Sequence, residues 1–188
     1  MIPAFNHSDV LPPYTGIDPT IRQAVSPYET TLCDIVDRFA TSPERIILLA
    51  GFLEYRGLLA SLGIVVGHQW VSGSFTENVE SSRGRPPNDV DVVTVANRPH
   101  AASTQSEWRA LFHANLSVFD PDINKTLYHC DAYYVDLGKR VDLVVEDTCY
   151  WFGLFSHNRD LLWKGMLRVS LQADDTEAKE RLRVLRDA

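Results

Sequence analysis

Val71-Ser72-Gly73-Ser74-Phe75 and, further on, Asn88-Asp89-Val90-Asp91-Val92-Val93 are the stretches that decide the reading of this sequence. In a strand, residues two apart share a face, so Asp89 and Asp91 project side by side. Val90, Val92 and Val93 mark the strand as buried. Two like charges on one face of a buried strand repel each other and are costly to desolvate. A divalent cation compensates them. Magnesium takes one or two carboxylates and completes its shell with phosphate oxygens and waters. The upstream Gly73-Ser74 adds a second half. A glycine at a strand end lets a phosphate approach the backbone, and Ser74 offers its hydroxyl and amide. One strand end then grips phosphates while the next holds metal, which describes a nucleoside triphosphate site. A bare Asp-x-Asp reads differently, with Asp89 capping the strand and Asp91 paired to a surface arginine. The Gly-Ser turn decides against that.

Around this centre the pattern is that of a mixed α/β (α+β) domain with helices packed on a modest sheet. Residues 1–28 carry Pro3, Pro12-Pro13, Gly16, Pro19 and Pro27 and read as an extended N-terminal arm. Phe5, Val10, Leu11 and Tyr14 give the arm something to bury. Residues 29–188 read as a single domain. Leu32, Ile35, Val36 and Phe39 have helical spacing over 28–40. Ser42-Pro43 starts a second helix that runs to about Leu62 and is apolar on much of its circumference. Strands are expected at Gln69–Gly73 and Val90–Ala96. A β-hairpin is expected from Leu127–Leu137 and Arg140–Glu146 around Gly138-Lys139. Helices are expected over 104–118 and 174–186, with another strand at Met166–Leu171.

The composition narrows the class of protein. The 188 residues carry 18 Lys and Arg against 25 Asp and Glu, a net charge of -7. A non-specific nucleic-acid coater needs a broad basic surface, which this balance does not supply. A nucleic-acid substrate in one local basic groove remains compatible with it. The N-terminus shows no basic or apolar signal region. The longest apolar run, Ile46 to Leu53, falls far short of the roughly 20 residues of a membrane span. Cys33, Cys130 and Cys149 form no CxxC pair and read as reduced thiols of a cytoplasmic protein. No GxxxxGK[ST] is present, so the phosphate grip is not a P-loop.

Gly73-Ser74 followed by Asp89-Val90-Asp91 resembles the signature of the DNA polymerase β-like nucleotidyltransferase superfamily. The intervening loop, Thr76 to Asn88, is longer than in the most compact members. The rest of the chain looks like a small bacterial and phage family of nucleotidyltransferase-like proteins. That wider likeness is carried by Phe5-Asn6, Val10-Leu11-Pro12-Pro13, Cys130-Asp131-Ala132-Tyr133, the run Tyr150 to His157, Arg159 and Trp163-Lys164-Gly165. The resemblance implies the nucleotidyltransferase fold and a third carboxylate on a strand beside the Asp-x-Asp strand. Three aspartates qualify: Asp131, favoured by its surrounding Cys-Asp-Ala-Tyr run, then Asp142, whose apolar flanks echo those of Asp91, and Asp136. With Asp131 the catalytic and metal set is Asp89, Asp91 and Asp131. It implies two Mg2+ ions, with Mn2+ as a substitute.

Gly73, Ser74, Arg83, Arg85, His157, Arg159 and Lys164 are the candidates for binding the nucleotide. Arginine and lysine beside a triphosphate are chemically sensible. Arg83 and Arg85 read equally well as charges of a solvated loop, and the later group as a turn after a core segment. The implied activity is transfer of a nucleoside monophosphate from an NTP such as ATP to a hydroxyl of RNA (tRNA) or of a protein. Small members of the superfamily often serve as toxin–antitoxin or phage-defence components, with a partner protein encoded nearby. The alternative is a catalytically inactive nucleotide-binding, antitoxin or regulatory module of the same fold. A small-molecule nucleotidyltransferase of the antibiotic-modifying kind ranks third, because little chain is left to build an acceptor pocket.

Overall fold

The computed structural model describes residues 1–187 other than Ile17 and Pro19. Pro19, one of the turn formers of the arm, and Ala188 therefore lie outside the described residues. The strands are β1 (Tyr28–Thr30), β2 (Gly67–Ser72), β3 (Val90–Ala96), β4 (Cys130–Asp136) and β5 (Leu167–Ser170). The helices are α1 (Leu32–Phe39), α2 (Pro43–Ser61), α3 (Val79–Arg83), α4 (Gln105–Ala114), α5 (Leu116–Phe119), α6 (Pro121–Tyr128), α7 (Val141–Phe155) and α8 (Thr176–Asp187). The strands form one mixed sheet in the order β1-β5-β2-β3-β4. β3 runs antiparallel to β2 and parallel to β4. This is a mixed α/β fold.

Side-chain alternation along β3 sorts the two faces. Val90, Val92 and Ala96 join the main core with Leu11, Ile35, Phe39, Phe52, Leu59 and Leu182. Val93 and Val95 face the opposite way, into a smaller cluster with Trp70, Val135, Phe155 and Met166. Asp91 shares the parity of Val93 and Val95. The pleat therefore turns it toward the smaller cluster and away from the main core.

Helix starts follow local chemistry. The Ser42 side chain accepts from Arg45 N, and Pro43 occupies the first turn of α2. Thr104 and Glu107 form a reciprocal capping box on α4. Asp120 accepts from Asp122 N and Ile123 N, with Pro121 following, so α6 is well specified. α2 and α6 approach so closely that a β-carbon on Gly51 would lie 2.1 Å from Tyr128 O. No larger residue fits between that helix and the α6 carbonyl.

Two expected elements differ. The strand anticipated from Leu127 begins at Cys130, because Leu127 and Tyr128 complete α6 and His129 caps it in the left-handed region at φ 55. The hairpin is absent: Arg140–Glu146 enters α7 instead of pairing with β4. The less exposed positions of α7 are Val144, Asp147, Thr148, Trp151 and Phe155, a helical stripe. The first of the expected helices is preceded by β1, and the span 104–118 breaks at Asn115 into α4 and α5. The arm lays Val10 and Leu11 into buried positions, and Pro12 O accepts from Tyr28 Oη at 2.8 Å. No helix among the described residues is long and apolar enough to cross a membrane. Cys33, Cys130 and Cys149 are free.

Candidate functional site

At one end of the sheet, three strands bring their polar termini together. Ser72 is the antiparallel partner of Asp91, and Asp91 is the parallel partner of Asp131. Directly paired residues share a face, so Asp91 and Asp131 project side by side. Asp89 lies two residues before Asp91 on the same parity. The three carboxylates line a cavity of about 790 Å³. Its walls also carry Gly73, Ser74, Arg83, Arg85, His157, Arg159 and Lys164, the residues named from the sequence as candidates for binding the nucleotide.

The electrostatics show how close the acids are. Burial, then the charges of Asp89 and Asp131, push the Asp91 carboxyl up to about 6, against the pull of Lys164 and Lys125. Lys125, on α6, places its Nζ 2.5 Å from Asp89 Oδ2 and 3.9 Å from Asp131 Oδ2. Its hydrogen bond to Asp89 leads the effects that raise its own pKa. Asp136 and Asp142 stand elsewhere. Asp136 is buried at the far end of β4, paired with Arg98 at 2.8 Å. Asp142 lies on the exposed first turn of α7 against Arg140. Of the three candidates for the third carboxylate, Asp131 is the one beside Asp91.

The Gly73-Ser74 turn is built from below. Gly73 has φ 70, and Ser74 opens a single 3-10 turn that ends at Thr76. Lys164 is 1% exposed. Its Nζ donates to Gly73 O at 2.7 Å and to Glu77 Oε1 at 2.6 Å. Burial pulls the Lys164 ammonium below its ordinary value, while Glu77 and Asp91 oppose that pull. Lys164 thus sits under the turn, with two of its three donors committed to the protein. Arg45 holds the next stretch, donating to Phe75 O at 2.8 Å, to Glu77 O at 2.7 Å and to the Glu80 carboxylate. Ser72 Oγ donates to Phe155 O at 2.9 Å, which ties the end of β2 to α7.

The opposite rim is more open. Arg83 Nη2 lies 2.8 Å from Asp160 Oδ2 and 3.9 Å from Glu77 Oε2. Arg85 donates to Pro86 O at 2.9 Å, and Arg159 is exposed on the cavity wall. His157 Nδ1 stands 3.1 Å from Gly153 O. The same Nδ1 lies 3.2 Å from Ser156 Oγ, so the ring is anchored at the end of α7. Leu161, also on this wall, has φ 62 within a turn whose Asn158 Oδ1 accepts from Asp160 N and Leu162 N.

Lys125, Glu77, Asn88 and Asn158 line the cavity without having been singled out in the sequence. Lys125 lies in 119–126, a stretch given no element from the sequence, although Asp120-Pro121 is a helix-start signal. Glu77 had no signal, because its partner lies 87 positions away. The donor set is entirely carboxylate oxygen, which suits a hard divalent cation. Among the described residues, no three His, Cys, Asp or Glu side chains stand ready-gathered to hold a metal ion.

A protein-family model described as a family of unknown function (DUF6932) matches residues 3–170, and the chain belongs to that family. No curated protein and no solved structure matches it.

Proposed function

We propose that this member of the DUF6932 family is a magnesium-dependent nucleotidyltransferase with a DNA polymerase β-like fold. In this reading it transfers a nucleoside monophosphate from an NTP to a hydroxyl of RNA or of a protein. The observation that carries the proposal is the side-by-side placement of Asp91 and Asp131 on adjacent strands, with Asp89 and the Gly73-Ser74 turn facing the same cavity. Carboxylates held this close, with one titrating near 6, call for a cation.

Asp89, Asp91 and Asp131 would hold Mg2+ or Mn2+ once the contact between Asp89 and Lys125 is released. The bound ion supplies charge neutralisation of the phosphates and of the attacking oxygen. The chain's own residues do the rest. The Gly73-Ser74 backbone and the Ser74 hydroxyl receive phosphate oxygens. Lys164 and Glu77 keep that turn fixed. Arg83, Arg85 and Arg159 neutralise the phosphate tail as pyrophosphate leaves. The acceptor oxygen attacks the α-phosphorus, the bond to the bridging oxygen breaks, and the acceptor proton passes to a nearby base. Positioning and electrostatics carry most of such a reaction.

A second reading is a nucleotide-binding or regulatory module without turnover, such as an antitoxin. The contact of Lys125 with Asp89 favours it, since an ammonium already neutralises one of the carboxylates. The test separates the two. The protein is incubated with Mg2+, each labelled NTP, and either total RNA or a protein lysate. Label transfer by the wild type and none by Asp89→Ala supports the enzyme. Metal-dependent NTP binding without transfer supports the module. Transfer by Asp89→Ala equal to that of wild type overturns the assignment.

A further inference from the structure

Lys125 is the cation nearest the carboxylate set, and nothing in the chemistry proposed above uses it. It projects from α6, which is fixed at its start by the Asp120 cap and at its end by the close Gly51–Tyr128 contact. Its backbone is therefore held while its side chain stays 50% exposed. The ammonium touches Asp89 Oδ2 at 2.5 Å and reaches to within 3.9 Å of Asp131 Oδ2. It thus lies between two of the carboxylates that would ligate a metal ion. Asp91, deeper in the cavity, has no ion-pair partner among the described residues.

We propose that Lys125 is a built-in competitor for the divalent cation: its ammonium and the metal ion use the same face of Asp89, and metal entry displaces it. This rests on the metal site proposed above. Three observations carry it. The contact is with a proposed ligand oxygen rather than with a bystander. The half-exposed four-carbon stem lets the ammonium withdraw to solvent without unfolding α6. An ammonium left in place would repel a divalent ion a few ångströms away, so the two exclude each other by charge as well as by volume. The consequence is a raised threshold for metal. Free cation binds weakly, and cation that arrives with a triphosphate, bringing its own oxygen ligands, binds with less penalty.

The test is Mn2+ binding to the full chain, followed by electron paramagnetic resonance without nucleotide, for wild type, Lys125→Met, Lys125→Arg and Asp89→Asn. Removing one half-exposed ion pair predicts Mn2+ binding roughly two- to fivefold tighter in Lys125→Met. Lys125→Arg, which keeps the charge, stays within about twofold of wild type on the same scale. Asp89→Asn loses the site. Unchanged or weaker binding in Lys125→Met, with binding still lost in Asp89→Asn, overturns the competitor role and leaves the metal site standing. No Mn2+ bound by any folded variant, or equal binding by Asp89→Asn, overturns the metal site itself and the competitor role with it.

Discussion

Gly73 and Asp91 are packed so tightly that a β-carbon on Gly73 would lie 1.5 Å from Asp91 Oδ2. The glycine also has φ 70, where side chains are disfavoured. The backbone of the Gly73-Ser74 turn and the Asp91 carboxylate are therefore one packed unit.

Gly73→Ala should consequently cost about 2 kcal/mol or more, from the positive φ together with the displaced carboxylate. Urea denaturation measures it. A cost under about 0.5 kcal/mol, the range of an ordinary surface change, would mean that the turn and Asp91 adjust independently.

Asp91 gives the stability a specific pH dependence. Its folded pKa, about 6, lies above the unfolded 3.8, so the native state holds the proton more tightly. Its contribution is full below pH 4 and is lost as pH rises through 6. Asp91→Asn should therefore stabilise the metal-free protein by about 1–3 kcal/mol at pH 7.5, with the advantage shrinking toward pH 4. His68 acts in the opposite sense. Burial pulls it down to about 4, so its contribution is lost as pH falls from 6.5 toward 4. The two partly cancel in the wild type, and Asp91→Asn should unmask a steeper loss on acidification. Thermal melts across pH 4–8 check both signs.

Lys164 and Glu77 form an ion pair with side chains 1% and 6% exposed. Breaking it from one side leaves a buried charge, so Lys164→Met should cost about 3 kcal/mol or more. Replacing both, as Lys164→Met with Glu77→Leu, should recover most of that loss. A double variant as unstable as the single one would show that the bond from Lys164 to Gly73 O carries the effect instead.

Arg83 pairs with Asp160, which is 67% exposed, so that bridge adds little to folding. Arg83→Ala should leave stability within about 0.5 kcal/mol of wild type. It should weaken triphosphate binding by about tenfold, because a charge-assisted contact is lost. Equal affinity for NTP in wild type and Arg83→Ala, measured by calorimetry at constant salt, would place the triphosphate elsewhere on the cavity wall.

The centre of the fold was legible because its signals are short-range. Val90–Ala96 is a valine-rich run with an acidic end, and Ser42-Pro43 announces α2 within two residues. The convergence of Arg83, Arg85, His157, Arg159 and Lys164 on the carboxylates was anticipated by residue type and family likeness, and not by any local pattern. Val141-Asp142-Leu143-Val144-Val145 misled because a short valine-rich apolar run after Gly138-Lys139 fits a strand. The stripe Val144, Thr148, Trp151 and Phe155 needs a longer window to emerge. Lys125 and Glu77 stayed hidden for a different reason. Their importance lies in partners distant in sequence, Asp89 and Lys164, and no local spacing encodes such a pair.

The proposed activity stands on a metal-dependent triphosphate site built on Asp91 and its neighbours. The most direct test is calorimetric titration of the protein with a non-hydrolysable NTP analogue, with and without Mg2+, alongside Asp91→Asn. Binding should require Mg2+ and be lost in Asp91→Asn, although that variant is folded and more stable. Binding of equal strength without metal, or undiminished in Asp91→Asn, would contradict it.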